Sequence, residues 1–257
     1  MFHFSILQNI FPRFLSIISV YSNLSDANKK NGLRLLYVIT EDWFFCSHFI
    51  GRAQAAKENG YEVTIVVREN EHGERIRSCG FNLIHIPFKR KSINPFSELL
   101  IIISLVKIYR KVRPDIVHHV STKPILYGTV AALITGVRFI INAPIGMGYL
   151  YSSSDIKAKL LRPLASYGYR KLLNTKSSFV IVENSDDLEY FVKKGMVKRN
   201  SISLIRGAGV DLNKFTFKDD EPSGKIIVMF IARMLVDKGV FEFISAANSI
   251  NMNGIIA

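Results

Sequence analysis

The sequence predicts an α/β protein with a doubly wound parallel sheet. Short β-rich runs alternate with helical patterns from residue 33 to about residue 210, as expected when helices cross over between parallel strands. Four of the helical patterns stop at Gly60, Gly80, Gly136 and Gly195, and glycine is the usual residue after the end of a helix. With 48% hydrophobic and 21% charged residues, the 257-residue chain has the composition of a globular protein.

The predicted strands and helices alternate in chain order. The seven strands are Leu33–Thr40, Tyr61–Arg68, Phe81–Phe88, Asp115–Val120, Arg138–Pro144, Ser178–Glu183 and Ser201–Arg206. The six helices between them are Phe49–Asn59, Glu71–Cys79, Pro95–Val112, Pro124–Thr135, Asp155–Asn174 and Ser185–Lys194. Seven strands joined in this way make one complete doubly wound domain.

The chain is predicted to divide into four segments. They are an N-terminal extension (residues 1–32), the complete domain (33–210), a connector (211–224) and the start of a second domain (225–257). The connector is predicted from its irregular, acidic composition around Asp219. The second domain is predicted from an apolar strand, Lys225–Arg233, and a helix, Val240–Ile250. Because two elements cannot enclose a core, we expect this domain to be cut short.

The N-terminal extension contains an apolar run, Phe2–Tyr21, that is too interrupted to span a membrane. A spanning helix needs about 20 apolar residues, and polar residues and a proline break this run at Gln8, Asn9, Pro12 and Arg13. The run also lacks the basic start and cleavage site of a signal peptide. It is interpreted either as a loosely held extension or as a segment that lies on a bilayer.

The chain is strongly basic, with 34 Lys and Arg against 21 Asp and Glu and a formal charge of +13. This excess indicates an anionic partner, either a membrane surface, phosphate groups or nucleic acid. Nucleic acid is disfavoured because no zinc finger, basic zipper or RNP-type aromatic motif is present. Six basic residues are predicted to contact a membrane: Lys89, Arg90, Lys91, Lys157, Lys159 and Arg162. The alternative for the last three is a solvated helix face over the core.

The two cysteines, Cys46 and Cys79, form no CxxC motif and have no cluster of other soft metal ligands around them. A disulfide framework and a structural zinc site are therefore excluded, and a reducing cytoplasm fits best.

Candidate binding residues follow the first strand, because ligands of open α/β sheets lie beyond the carboxyl ends of the strands. Asp42 and His48, beside Trp43, have the chemistry to hydrogen-bond and stack a sugar. The alternative is a loop with a buried tryptophan and a helix N-cap at Ser47.

A second set of candidates follows the fourth and fifth strands. His118 and His119 are neighbours on a strand and point to opposite faces, so they cannot both bind one metal, and one of them is predicted to be structural. Lys123 adds positive charge near a helix start. Gly146 and Gly148 suit either a backbone close to a ligand or a tight turn.

Arg233 and Lys238 lie five residues apart between a predicted strand and a helix start. Two cations beside the free N–H groups of a helix N-terminus form a suitable clamp for a diphosphate.

The ordered series LYVITEDWFFCSH, HGERIRSCGF, INPFSELL, RPDIVHHVSTKPILYG, NAPIGMGY, GAGVDLNKF and ARMLVDKGVFEFISAA resembles family 4 glycosyltransferases, in particular bacterial enzymes that extend lipid-linked glycans. The resemblance runs from Leu33 to about Asn248. It implies a GT-B fold, in which two Rossmann-like domains hold a sugar acceptor and a nucleotide-sugar donor.

The resemblance also implies roles for individual residues. Arg233 and Lys238 would bind the donor diphosphate and stabilise the leaving group without a metal or other cofactor, in a reaction that retains the anomeric configuration. The acceptor would be bound by Asp42, His48, His118, Lys123, Gly146 and Gly148. Gly207 and Gly209 would lie on the donor side, between the domains. Val120 stands where many members have a second histidine, which weakens the case for a histidine-assisted mechanism.

The sequence thus predicts a cytoplasmic, membrane-peripheral glycosyltransferase that adds a sugar to a lipid-linked acceptor in surface polysaccharide synthesis. The family's Glu-x7-Glu segment would lie beyond Ala257, so we expect the chain to be inactive by itself. The alternative is a truncated module that binds the acceptor or the membrane without catalysis.

Overall fold

The seven predicted strands form one parallel sheet in the order β3-β2-β1-β4-β5-β6-β7. They are β1 (Arg34–Glu41), β2 (Glu62–Arg68), β3 (Asn82–His85), β4 (Ile116–Val120), β5 (Phe139–Ala143), β6 (Ser178–Val182) and β7 (Ile202–Leu204). The structure is a computed structural model, which describes residues 32–89, 94–145, 156–207, 209, 215–216, 228–232, 234 and 236–252. The α/β class and the parallel sheet that the sequence predicts are confirmed.

Eight α-helices are described. They are α1 (Asp42–His48), α2 (Ile50–Glu58), α3 (Gly73–Ser78), α4 (Pro95–Val112), α5 (Thr122–Thr135), α6 (Ile156–Leu172), α7 (Ser185–Lys193) and α8 (Val240–Met252). The bounds of α4 agree with the prediction, since Asn94 accepts a hydrogen bond from the Phe96 N–H, Pro95 occupies the first turn and Arg113 ends the helix with φ of 51°. The four predicted glycine stops are confirmed by their φ angles, 86°, 72°, 71° and 62° at Gly60, Gly80, Gly136 and Gly195.

Helix α1 is not among the predicted helices, because its sequence places three aromatic residues in a row and shows no helical period. Burial of Phe45 and Cys46 against the sheet stabilises the helix, although no side chain caps its N-terminus. This tertiary packing outweighs the weak local helix propensity of the segment.

The sheet is covered on both faces, which explains why β1 is almost entirely buried. Tyr37 and Ile39 of β1 pack on one face against Phe45 and other side chains of α1, α2 and α3. Leu36 of β1 packs on the opposite face against Leu105 and other side chains of α4 and α5. Alternation along the strand sends successive side chains into two separate cores.

The chain divides into two compact units, Met1–Gly209 and Val210–Ala257. The second unit contains α8 and a short 3-10 helix, Val236–Lys238. Residues 228–232, the described part of the predicted strand Lys225–Arg233, are not in a strand. A strand needs a hydrogen-bonded neighbour, and the described part of this unit supplies none. Of the helices described in both units, none is long and apolar enough to cross a membrane.

Candidate functional site

The candidate site lies where β1 and β4 meet in the middle of the sheet. The chain order of the strands reverses at this pair, because β1 is followed outward by β2 and β3 on one side and β4 by β5 on the other. The connections that leave β1 and β4 therefore diverge, and they open a crevice at the carboxyl ends of the strands. This is the position at which a doubly wound sheet binds its ligand.

His118 of β4 is the central residue of this crevice. It lies opposite Tyr37 of β1 in the strand register, and its ring is 5.0 Å from the Tyr37 ring and 5.7 Å from the Phe49 ring. The His118 Nε2 atom is buried and has no hydrogen-bond partner among the described residues. Burial, with a smaller effect of the Arg52 and His119 charges, lowers the pKa of His118 to about 3. The imidazole is therefore neutral at physiological pH and keeps one unused hydrogen-bonding position.

Arg52 of α2 supplies the positive charge beside His118. Its guanidinium carbon lies 5.0 Å from the centre of the Phe49 ring, and one nitrogen is 3.7 Å from the Glu183 carboxylate. The same nitrogen donates a hydrogen bond to the Gly207 carbonyl. Sequence reasoning missed both Arg52 and Glu183, because no local motif distinguishes them and only the fold brings α2, β4 and the end of β6 together.

His119 confirms the prediction that one of the two histidines is structural. It is fully buried on the opposite face of the sheet. Its ring forms hydrogen bonds with the Tyr109 hydroxyl at 2.8 Å and with the Asn142 side-chain oxygen at 2.9 Å. Burial lowers its pKa to about 4, although the bond to Asn142 acts in the other direction. Gly128 of α5 makes room for this ring, since a Cβ there would lie 2.5 Å from Nε2.

Ser121, the first residue after β4, has a strained backbone. Its φ of 77° and ψ of 163° lie in a region that side-chain-bearing residues rarely adopt. The Ser121 N–H donates to the Ala143 carbonyl at the end of β5, and Ser121 serves as the N-cap of α5. Such strain costs about 1 to 3 kcal/mol and is typical of turns that are fixed by a functional requirement.

Asp42 has a structural role in the described conformation. Its carboxylate is fully buried and accepts backbone hydrogen bonds from Asn70 at 2.6 Å, His72 at 2.9 Å and Trp43 at 2.7 Å. Burial by itself raises the pKa of this carboxyl, but the hydrogen bonds outweigh it and lower the pKa below its ordinary value. The predicted contact of Asp42 with an acceptor would require these bonds to open.

His48 and Trp43 are exposed at the same end of the sheet. The His48 ring stacks on Phe44 with 4.3 Å between centroids, and its Nδ1 lies 2.5 Å from the Ser47 hydroxyl. Trp43 is 44% exposed, so the alternative of a buried tryptophan is wrong. The alternative of an N-cap at Ser47 is also wrong, because Ser47 lies inside α1.

Lys123 lies in the first turn of α5, which begins at Thr122 and not at the predicted Pro124. Its ammonium group is 2.7 Å from the Glu98 carboxylate and donates to the Lys89 carbonyl at 2.7 Å. Tyr127 of α5 forms a hydrogen bond with the same Glu98. Burial, together with this bond, raises the pKa of Tyr127 well above its ordinary value. Lys123 therefore belongs to a half-buried network that joins α4 to α5.

Of the remaining predicted site residues, three lie outside the described residues: Gly146, Gly148 and Arg233. Lys238 is exposed in the 3-10 helix of the second unit. Gly207 and Gly209 have φ angles of 57° and 76°, which glycine adopts without strain.

The predicted membrane contacts are described in part. Lys89 and Lys159 are exposed, and Arg162 is half-buried. Arg90, Lys91 and the side chain of Lys157 lie outside the described residues. Within the described ranges, no three His, Cys, Asp or Glu side chains are grouped so that they could hold a metal ion.

Comparison with known proteins identifies one family. The model of the family described as glycosyl transferase 4-like matches residues 34–184, which include β1, His118 and the described crevice. An N,N'-diacetylbacillosaminyl-diphospho-undecaprenol alpha-1,3-N-acetylgalactosaminyltransferase of Campylobacter jejuni is 28% identical over 206 residues, which are 76% of this chain and 54% of the relative. A UDP-Gal:alpha-D-GlcNAc-diphosphoundecaprenol alpha-1,3-galactosyltransferase of Escherichia coli is 26% identical over 76% of this chain and 52% of its own length.

A solved structure shows a similar fold. The crystal structure of a glycosyltransferase from Rickettsia africae superposes with a TM-score of 0.51 at 15% identity, over 88% of this chain and 51% of the solved chain. The chain thus spans about half the length of the proteins that it matches.

Proposed function

The chain belongs to the glycosyl transferase 4-like family, and from this premise we propose that it serves the transfer of a sugar from a nucleotide-sugar to a lipid-linked acceptor. Two relatives are named for acceptors that carry a sugar on diphospho-undecaprenol. A product of the same chemical class would be an intermediate of cell-surface polysaccharide or glycan synthesis. The family membership and these names support the proposal.

The observation that carries the proposal is the unused hydrogen-bonding position of His118 beside Arg52. A neutral imidazole at the strand end can exchange a hydrogen bond with an acceptor hydroxyl without placing a second charge in the crevice. Filling this position would also remove the cost of a buried, unpaired nitrogen, about 1 to 3 kcal/mol. The guanidinium of Arg52 is suited to an anionic group on the same acceptor, such as its diphosphate.

The donor is proposed to be held by Arg233 and Lys238. In a retaining transfer, the bond between the sugar's anomeric carbon and the donor diphosphate breaks, and a bond to the acceptor oxygen forms on the same face. The proton of the acceptor hydroxyl passes to the departing diphosphate. Two cations stabilise the negative charge that develops on the leaving group, so that no metal ion is needed for this step.

The proposal includes contact with an anionic membrane surface on the cytoplasmic side, where a lipid-linked acceptor is held. Basic residues predicted to make this contact are Lys89, Arg90, Lys91, Lys157, Lys159 and Arg162, and each is worth about 1 kcal/mol at an anionic surface. Lys89 and Lys159 are exposed, as such a contact requires.

The second candidate function is an acceptor-binding module without catalysis. One observation favours it, since His118, Arg52 and Glu183 all belong to the first unit, Met1–Gly209. Acceptor binding alone therefore needs no residue of the second unit.

Calorimetric titration with a short-chain polyprenyl-diphosphate N-acetylhexosamine in detergent tests the acceptor site. We expect saturable binding that is lost with polyprenyl alcohol and weakened at least about tenfold by His118→Phe, the loss of roughly one good hydrogen bond to a buried group. His85→Asn on the edge strand β3 is the matched control and should bind normally. Binding that does not depend on His118 would contradict the proposed site.

A sugar-transfer assay with labelled nucleotide-sugars separates the two candidate functions. Transfer that requires Lys238 would support the enzyme. Acceptor binding without transfer would support the module when it is seen in a form that also carries a complete second domain.

A further inference from the structure

The outward face of α4 carries an apolar stripe in its first two turns. Phe96, Leu99, Leu100 and Ile103 are 80%, 54%, 64% and 41% exposed. An α-helix advances about 100° per residue, so these four side chains lie within about 60° of one direction. An exposed helix face in a water-soluble protein usually carries polar side chains at such positions.

The stripe is distinct from the face that α4 uses to pack on the sheet. The buried residues of α4 are Ile101, Leu105 and Tyr109, which repeat every four residues on the side opposite the stripe. The core therefore accounts for one apolar face of the helix and leaves the second apolar face uncovered by the described residues.

The second half of the same outward face is cationic. Lys107, Arg110 and Lys111 are exposed and continue the direction of the stripe toward the C-terminus. Glu98, the only acidic residue of α4, lies off the stripe and pairs with Lys123. The outward face thus passes from apolar to positive along the helix axis.

Helix α6 repeats this arrangement. Its exposed apolar residues, Ile156, Leu160, Leu164 and Tyr167, are 73%, 74%, 68% and 60% exposed and share one side of the helix. Exposed cations border or continue this side at Lys159, Arg170 and Lys171, and α6 contains no acidic residue. The sequence-based alternative for α6, a solvated charged face over the core, does not account for Ile156, Leu160 and Leu164, which face outward.

The two stripes lie on the same face and at the same edge of the sheet. Helices α4 and α6 both pack beside α5, which lies between them. Each helix follows the carboxyl end of a parallel strand, so the N-terminal turns of both begin at the edge where the His118 crevice opens. The apolar first turns of α4 therefore lie at the carboxyl edge of the sheet, on the face opposite the one that carries the His118 ring, and the cationic turns of α4 are farther from this edge.

We propose that the stripes of α4 and α6 form a surface that inserts into an anionic lipid bilayer, with Phe96, Leu100 and Ile103 entering the acyl region. This inference rests on the proposed function, which requires a lipid-linked acceptor to reach the crevice. Charge complementarity selects a bilayer as the partner, since both stripes are bordered by cations and the chain carries a charge of +13. A second copy of the same surface would place these cations against one another.

Flotation with phosphatidylcholine–phosphatidylglycerol vesicles tests the proposal on the full 257-residue chain. The triple variant Phe96→Ser, Leu100→Gln, Ile103→Gln should partition at least about tenfold more weakly, equivalent to about 1.4 kcal/mol. The matched control is Leu133→Gln with Ile134→Gln, which changes exposed apolar residues at the far end of α5 and should leave binding unchanged. The N-terminal extension is present in every variant, so the difference reports the stripe.

A depth measurement distinguishes insertion from surface attraction. In a Trp43→Phe background, Leu100→Trp should be quenched by lipids that are brominated on the acyl chain, whereas Leu133→Trp should not. Vesicle binding that survives the triple substitution, or binding without quenching at position 100, would overturn the proposal. So would a triple variant that loses only self-association in size-exclusion chromatography. Neither measurement uses a sugar donor or acceptor, so failure here leaves the acceptor titration to judge the proposed function.

Discussion

Acidification from pH 7 to pH 5 should destabilise the first unit, because His118 and His119 are buried in their neutral form. Burial lowers their pKa values to about 3 and about 4, whereas a histidine in an unfolded chain has a pKa of about 6.5. Between these values the unfolded chain binds protons that the folded chain excludes. The contribution of the two neutral rings to the free energy of unfolding is therefore fully present above about pH 6.5. It is lost as the pH falls toward the pKa values that the two histidines have in the folded chain.

The size of the effect follows from proton linkage. At pH 5 an unfolded histidine is almost fully protonated, while neither buried histidine is, so each lowers the free energy of unfolding by about 2 kcal/mol relative to pH 7. The two together should lower it by about 4 kcal/mol, a large part of the roughly 5 to 15 kcal/mol that stabilises a typical domain.

Urea denaturation followed by circular dichroism at pH 7, 6 and 5 measures this loss. His118→Phe removes one of the two titrating groups and places an aromatic ring between Tyr37 and Phe49, where the imidazole packs. This variant should lose only about 2 kcal/mol over the same interval. The control His85→Asn, which changes an exposed histidine, should lose as much as the wild type.

Two results would refute the reasoning. One is a free energy of unfolding that is constant between pH 7 and pH 5. The other is a loss in His118→Phe equal to that of the wild type, which would mean that His118 is already protonated or open to water in the folded chain.

Three further changes give distinct outcomes. Gly128→Ala places a Cβ 2.5 Å from His119 and should destabilise the fold by about 1 to 3 kcal/mol in urea, whereas Gly51→Ala, with open space around it, should not destabilise it. Asp42→Asn removes the charge that accepts three backbone N–H bonds and should cost about 1 to 3 kcal/mol by the same assay. In a form of the protein that shows measurable sugar transfer, Lys238→Ala should lower turnover by about 100-fold without changing acceptor affinity, and an unchanged rate would exclude Lys238 from the donor site.

Local sequence signals determine most of the fold. All seven strands and the limits of α4 follow from hydrophobic periodicity, from Asn94 and Pro95 at the helix start, and from glycines at helix ends. These features act over a few residues, so they can be read without knowing what lies nearby in space. Local sequence signals do not predict helix α1, because its stability comes from the packing of Phe45 and Cys46 on the sheet.

The sequence also locates part of the candidate site, since the residues after each strand of a parallel sheet meet at one edge. His118 can be found in this way. The same reasoning assigns Asp42 to a ligand, whereas the structure uses its carboxylate to hold the segment at Asn70 and His72. A sequence shows that a carboxylate is available and does not show which backbone N–H groups reach it.

Only the tertiary structure decides which groups meet and which faces stay uncovered. Arg52 and Glu183 are 131 positions apart in the chain, and the fold brings them together beside His118. In α4 and α6 the sequence shows many apolar residues but does not show which of them the sheet covers. That choice depends on how each helix is rotated against its neighbours, and the rotation is set by packing between distant segments.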